Sequence, residues 1–190
     1  MICDMATLAK RLITVEEFLD IEFPSDTRFE LDNGVIKMMA GRQAIHSRIQ
    51  TNVLTTLAIK LRGTGCEPMG PDMGVKAHDL SLRYPDVSVF CGRGGPENDK
   101  LKAFDDPKLI VEVLSPTTRQ DDIQIKLPEY RKIASLDAIL YIDPEDKTVH
   151  LETRDSTRGW TVTTPEVGES VTLPLHGIVL EWEDIFRQSA

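Results

Sequence analysis

The chain has 190 residues, 41% of them hydrophobic, and a formal net charge of −9 at pH 7. That length and apolar content suit one packed domain over residues 1–190 and exclude a disordered or fibrous chain. No run reaches the roughly 18 apolar residues that span a bilayer, and the opening MICDMATLAKR lacks the apolar centre of a secretory signal. A cytoplasmic protein with no membrane partner is therefore expected, with residues 1–12 as a flexible lead-in. The acidic balance argues against nonspecific coating of nucleic acid, which depends on neutralising many phosphates, but it leaves room for a local basic cleft. Cys3, Cys66 and Cys91 are odd in number, widely separated and outside any CxxC, which predicts free thiols in place of a disulfide framework or structural zinc site.

In chain order, Thr14-Val15-Glu16-Glu17 has the spacing of a capping box and predicts a short helix to about Ile21. RFELDNGVIKMMA reads as a hairpin, because Asn33-Gly34 tolerates the positive φ angles of a tight turn. Ile45, Ile49, Val53, Leu54, Leu57 and Leu61 recur at three- and four-residue steps and predict a long amphipathic helix over 44–61, stopped by Gly63 and Gly65. Strands follow at MGVKAH, YPDVSVF and LIVEVLS, the last two joined by the polar loop CGRGGPENDK. A helix over about 122–134, a strand DAILYID, a hairpin of VHLETRD with WTVTT, and a closing strand and helix in GIVLEWEDIF complete the order. GRGG at Gly92 to Gly95 lacks the GK[ST] ending of a phosphate loop and opens no helix.

Two of these strands carry one acid each among apolar residues. LIVEVL has the composition of a strand buried on both faces, with Glu112 in its middle. A carboxylate there loses hydration and needs a cation, a donor or a raised pKa. Asp86 follows Pro85, which cannot donate to a ladder and belongs at a strand start, an edge or a bulge. If the two strands are neighbours, the carboxylates converge, and hard oxygen ligands of that kind suit Mg²⁺ or Mn²⁺. Asp122, Lys126 and Tyr130 are four apart and share one helix face. Two carboxylates, a divalent cation and a lysine are the parts for phosphodiester hydrolysis.

YPDVSVF, PKLIVEVLSPTTRQDD, IKLPEY and a strand ending in Asp143, together with FELDNGVIKMMA and His46, resemble the Uma2 family within the PD-(D/E)xK restriction-endonuclease-like superfamily. The resemblance runs from about Thr14 to the C-terminus. It implies an α/β (α+β) fold, with a restriction-endonuclease-like core of mixed central β-sheet flanked by helices and extra β-hairpins. It implies a metal-dependent endonuclease acting on DNA, with Mg²⁺ or Mn²⁺ as cofactor and a homodimer as the expected assembly. Asp86 and Glu112 fall on the two metal-binding acids of the motif. Its usual lysine, two residues after the second acid, is Leu114 here, and in this family its role passes to the following helix, at Lys126. Pro128 predicts that this helix starts late or kinks near Lys126.

Other residues carry competing readings. Glu30 and His46 match recurrent polar positions near the metal, while Glu30 could equally pair with Arg28 or Lys37. Asp122 reads first as a helix N-terminal acid and Tyr130 as core with its hydroxyl at the pocket rim. Arg119, after the hydroxyl turn Ser115-Pro116-Thr117-Thr118, is a candidate phosphate contact. Leu114 and the acidic surface favour an alternative, a degenerate member of the fold that binds nucleic acid or protein without cutting.

Overall fold

Thr14 starts the first helix as its spacing predicts. In the computed structural model, which describes residues 11–116, 119–157 and 159–188, the Thr14 hydroxyl accepts from the Glu17 amide at 3.2 Å. The Glu17 carboxylate accepts from the Thr14 amide at 3.0 Å. This reciprocal cap begins α1 (Val15–Leu19), which buries Val15 and Phe18. The expected flexible lead-in falls mostly on residues 1–10 and lies outside the described residues, as do Thr117 and Thr118 of the hydroxyl turn.

The hairpin β1 (Phe29–Asp32) and β2 (Val35–Met38) turns through Asn33 and Gly34 at φ 48° and 79°. It continues into a five-stranded sheet of order β2-β1-β5-β4-β7, with β4 (Gly74–His78), β5 (Ser81–Arg83) and β7 (Ala103–Phe104). Strands of three and two residues, such as β5 and β7, are too short to display a period, which is why the sequence reading passes over them. It also passes over β3 (Cys66–Met69), whose Pro68 is tolerated because β3 is an edge strand.

The second sheet has six strands in the order β11-β10-β9-β8-β6-β3. Here β6 is Val87–Cys91, β8 is Leu109–Val113, β9 is Ala138–Asp143, β10 is Thr148–Asp155 and β11 is Gly159–Thr163. All its pairs are antiparallel except β8 with β9, whose parallel register needs a crossover, supplied by the helical segment between them. The sheet is mixed, as expected, and β8 is buried along its whole length.

Alternation divides β8 between two cores. Leu109, Val111 and Val113 pack with Ile49, Val53 and Leu57 of α2 (Ala44–Lys60), while Ile110 packs with Tyr130, Ile139 and Tyr141 on the other side. Glu112 shares the parity of Ile110. A two-stranded sheet, β12 (Val171–Thr172) with β13 (Val179–Leu180), and α5 (Trp182–Phe186) close against the α2 side.

The crossover differs from expectation. It is helical already at α3 (Arg119–Asp121), widens into a π-helical turn over Asp122–Lys126, and continues as α4 (Leu127–Tyr130). Pro128 has no amide hydrogen and in a regular helix its ring would crowd the carbonyl four residues back. The wide turn resolves that conflict, with the Leu127 amide reaching back five residues to the Asp122 carbonyl.

The free-thiol expectation is overturned for Cys66 and Cys91, while Cys3 lies outside the described residues. Cys66 and Cys91 are register partners on β3 and β6 and form a disulfide across 25 residues of sequence. Spacing could not reveal this, because the pairing exists only once β3 has docked beside β6. Disulfides closing loops of this size stabilise by about 2–4 kcal/mol. Without reductant, Cys66 and Cys91 should therefore escape iodoacetamide, and Cys66→Ser should lower unfolding free energy by about that amount. Alkylation of both cysteines in the native, unreduced protein would contradict the bridge.

Candidate functional site

The antiparallel register of β6 with β8 pairs Val87 with Val111. Asp86 immediately precedes β6, and its carboxylate reaches the Val113 amide next to Glu112. Both acids are sealed from solvent, at 0% and 2% exposure. Asp86 Oδ2 accepts from the Val113 amide at 2.8 Å and lies 3.1 Å from His46 Nε2, while its Oδ1 accepts from the Arg42 guanidinium. Gln50 Nε2 donates to the Asp86 carbonyl at 3.2 Å. Burial opposes ionisation of Asp86, but His46, Arg42 and the Val113 amide together hold its carboxyl below the usual carboxylate range.

Glu112 behaves in the opposite way. Burial, reinforced by the Asp122 and Asp86 charges, pushes its carboxyl up to about 7 against the pull of Lys126 and Tyr130. The Tyr130 hydroxyl donates to Glu112 Oε1 at 2.7 Å, so Tyr130 belongs to the core by its ring and to the site by its oxygen.

Lys126 lies 7% exposed, with Nζ 2.9 Å from Asp122 Oδ1, 3.7 Å from Glu112 Oε1 and 3.8 Å from Glu30 Oε2. Burial alone would discharge it. The Glu112, Glu30 and Asp122 charges outweigh that and raise its pKa above the ordinary lysine value. Despite the π turn, Asp122 and Lys126 meet at i,i+4 as their spacing suggests. Asp122 is not the N-terminal acid of its helix, since the helical chain begins three residues earlier, at Arg119. Of the sequence-picked residues, Glu112, Lys126, Glu30, Asp122 and Tyr130 are thus linked through direct contacts, while Asp86 and His46 contact each other and reach the first group through the Val113 amide next to Glu112. Arg119 is not part of that cluster; its guanidinium pairs with Asp143 and stands 3.7 Å from Asp146.

Glu30 pairs with neither Arg28 nor Lys37, which take Asp72 and Asp32. Its partner is Arg83, which sequence reasoning missed. Arg83 is 1% exposed and donates to Glu30 Oε1 at 3.1 Å, Asp32 Oδ1 at 2.6 Å and Glu129 Oε2 at 2.6 Å. This guanidinium joins β1 and β5 of one sheet to α4, beside the other. Arg42, in the segment before α2, was likewise missed; neither arginine sits in a motif or periodic pattern.

A cleft of about 210 Å³ is lined by Glu30, Lys37, Met38, Gly41, Arg42, Ser115, Asp122 and Lys126 among others, and so includes the partners of both buried acids, Arg42 and Lys126. Glu30, Asp86, Glu112 and Asp122 set four carboxylates against the two cations Arg42 and Lys126. The charges of Arg83 and Lys37 are matched by Asp32 and Glu129. Ionised, the cluster carries two negative charges in excess. Glu30 Oε2 is buried without a hydrogen-bond partner.

That donor chemistry fits a divalent cation. Among the described residues no three His, Cys, Asp or Glu side chains enclose a metal by themselves. Two carboxylates meet the demand of Mg²⁺, which keeps several of its waters.

The comparisons agree with this architecture. The Uma2 family model, described as "Putative restriction endonuclease", matches residues 15–183. The chain belongs to the Uma2 family. Two relatives from Synechocystis sp. (strain ATCC 27184 / PCC 6803 / Kazusa) share its length. "Uncharacterized protein sll1609" is 29% identical over 160 residues, covering 84% of this Uma2 chain and 90% of its own. "Uncharacterized protein slr1290" is 27% identical over 176 residues, covering 92% of each. The crystal structure of "a putative nuclease belonging to DUF820" from Anabaena variabilis ATCC 29413 superposes with TM-score 0.75 at 22% identity. It covers 92% of this chain and 97% of its own, which supports the restriction-endonuclease-like fold. Among the described residues no helix is long and apolar enough to cross a membrane.

The elevated Glu112 carboxyl has a pH signature. In the unfolded chain it titrates near 4.5 and in the folded protein near 7, so the folded state holds more protons between those values. Stability from this group is complete below about 4.5 and is lost as pH rises through 7, a contribution on the order of 3 kcal/mol. Asp86, held low, acts at more acid pH and with the opposite sign. In EDTA, Glu112→Gln should gain melting temperature relative to wild type on going from pH 5 to pH 8. A difference that stays constant with pH would count against the buried, elevated carboxyl.

Proposed function

We propose that this Uma2 chain is a Mg²⁺- or Mn²⁺-dependent endodeoxyribonuclease that hydrolyses DNA phosphodiester bonds. The carrying observation is the approach of Lys126 to within 3.7 Å of Glu112, from the helix that follows its strand, with a second buried acid, Asp86, just ahead of the neighbouring strand. That arrangement supplies from the helix the ammonium that Leu114 cannot supply from the strand.

In this reading Asp86 and Glu112 hold the ion. An ion held there would supply polarisation of the phosphodiester and a lowered pKa for a water. Tyr130 fixes the Glu112 carboxylate by its hydrogen bond. Lys126, kept cationic by its three carboxylates, orients a water or offsets negative charge developing on the phosphate. Asp122 and Glu30 aim that ammonium, and Arg83 holds Glu30 in turn. Low exposure of the acids strengthens each of these interactions by excluding solvent.

One observation favours the alternative of a member that binds without cutting: Arg42 already neutralises Asp86. Metal and cleavage measurements separate the two readings. Mn²⁺ should raise the melting temperature of the wild type by mass action, and Glu112→Gln should abolish that rise while keeping the fold. Lys126→Ala should reduce Mn²⁺-supported cleavage of plasmid DNA about a hundredfold, in the range for removing one charge-stabilising donor, while still binding Mn²⁺. Lys126→Arg should restore little, since a planar guanidinium does not replace a compact ammonium in a crowded pocket. Wild-type cleavage by Lys126→Ala would remove the lysine from the mechanism. Binding of DNA and Mn²⁺ with no cleavage by wild type would favour the degenerate member.

A further inference from the structure

The Arg42 guanidinium occupies the oxygen that the proposed metal needs. It donates to Asp86 Oδ1, and the same nitrogen lies against His46 Nε2. The remaining oxygen of Asp86 is taken by the Val113 amide and His46. Both Asp86 oxygens therefore have partners, and the one held by Arg42 is held by a side chain able to leave. Residues 39–43, which carry Arg42, have no regular secondary structure. The Arg42 side chain is 26% exposed, in contrast to the sealed carboxylate it contacts.

Arg42 also lines two clefts. One is the cleft lined by Lys126, Asp122 and Glu30, and the other, of about 510 Å³, runs past Arg28 and Gln50. A guanidinium released from Asp86 thus remains within openings that also hold Lys37, Lys126 and Arg28 among the acids Glu30, Asp121, Asp122 and Asp26, with its planar donors turned to the cleft.

We propose that Arg42 is an internal competitor for the metal: it holds Asp86 when no cation is bound, is displaced when Mg²⁺ or Mn²⁺ binds, and then contacts a DNA phosphate. The inference rests on the metal-dependent nuclease reading and adds to it a linkage between metal and DNA. Binding of metal frees Arg42 for phosphate, and capture of Arg42 by phosphate uncovers Asp86 for metal. Each ligand therefore raises the affinity for the other by the same factor.

Two measurements test this on the full chain. The first is titration with Mn²⁺ alone, read by calorimetry or by loss of the free-ion electron paramagnetic resonance signal. Arg42→Ala should bind Mn²⁺ about tenfold more tightly than wild type, within the range usual for coupled sites, and Arg42→Gln should behave likewise. Thermal melts of both variants establish that they fold. The second is affinity for a short DNA duplex. Arg42→Ala should lose more affinity in Ca²⁺, used as a metal slow to support cleavage, than in EDTA, because only the loaded site releases the guanidinium.

Unchanged or weaker Mn²⁺ binding by both folded variants, with binding still abolished by Asp86→Asn, overturns the competitor alone and leaves the nuclease reading standing. Equal loss of duplex affinity in Ca²⁺ and in EDTA overturns the transfer to phosphate. Absence of Mn²⁺ binding in wild type and variants overturns the inference together with the metal site on which it rests.

Discussion

Two buried carboxylates, Glu112 on β8 and Asp86 just before β6, lie near one another, and that imposes a constraint on everything around them. Apolar burial alone would expel both charges or neutralise them. The fold instead surrounds them with oriented partners: an amide, an imidazole and a guanidinium at Asp86, and a phenol and an ammonium at Glu112. The two acids end in different states as a result. Asp86 is held ionised by its donors, while Glu112, with less compensation, moves toward neutrality.

The position of Lys126 depends on a local irregularity in the helix. A regular α-helix through Pro128 would strain against the proline ring, and the π turn from Asp122 to Lys126 removes the strain. The same turn leaves Asp122 and Lys126 in contact and brings the ammonium to Glu112. Such widened turns recur at functional positions. Here the widening lets the helix carry a cation where the strand carries Leu114.

Arg83 ties the smaller sheet to this arrangement. A buried guanidinium with three carboxylate partners is costly to desolvate, and losing one partner would leave an uncompensated charge. Through Glu30 the network meets Lys126, and through Glu129 it meets α4. The ELDNG hairpin is therefore coupled to the buried acids by chemistry as well as by packing. Its turn residues place β1, and β1 presents Glu30 and Asp32 to Arg83.

Much of this was legible in the sequence because local chemistry is local. Thr14 with Glu17, Asn33-Gly34, the apolar steps of α2 and the apolar run around Glu112 each state their own conformation. An acid inside LIVEVL announces its need for a partner wherever the strand ends up. The family resemblance pointed to Asp86, Glu112 and Lys126 together, and Lys126 lies 3.7 Å from Glu112. The remainder depended on which distant segments meet. Cys66 and Cys91 become partners only through the pairing of β3 with β6. Arg83 looks like an ordinary strand arginine until β1 and α4 close around it, and Arg42 like a solvated loop residue until Asp86 is found beneath it. The sequence by itself determined most of the longer elements and the acids that need compensation. Only the tertiary structure decided which cations supply it, because charge pairing in a dry interior is set by three-dimensional distance, to which sequence separation is blind.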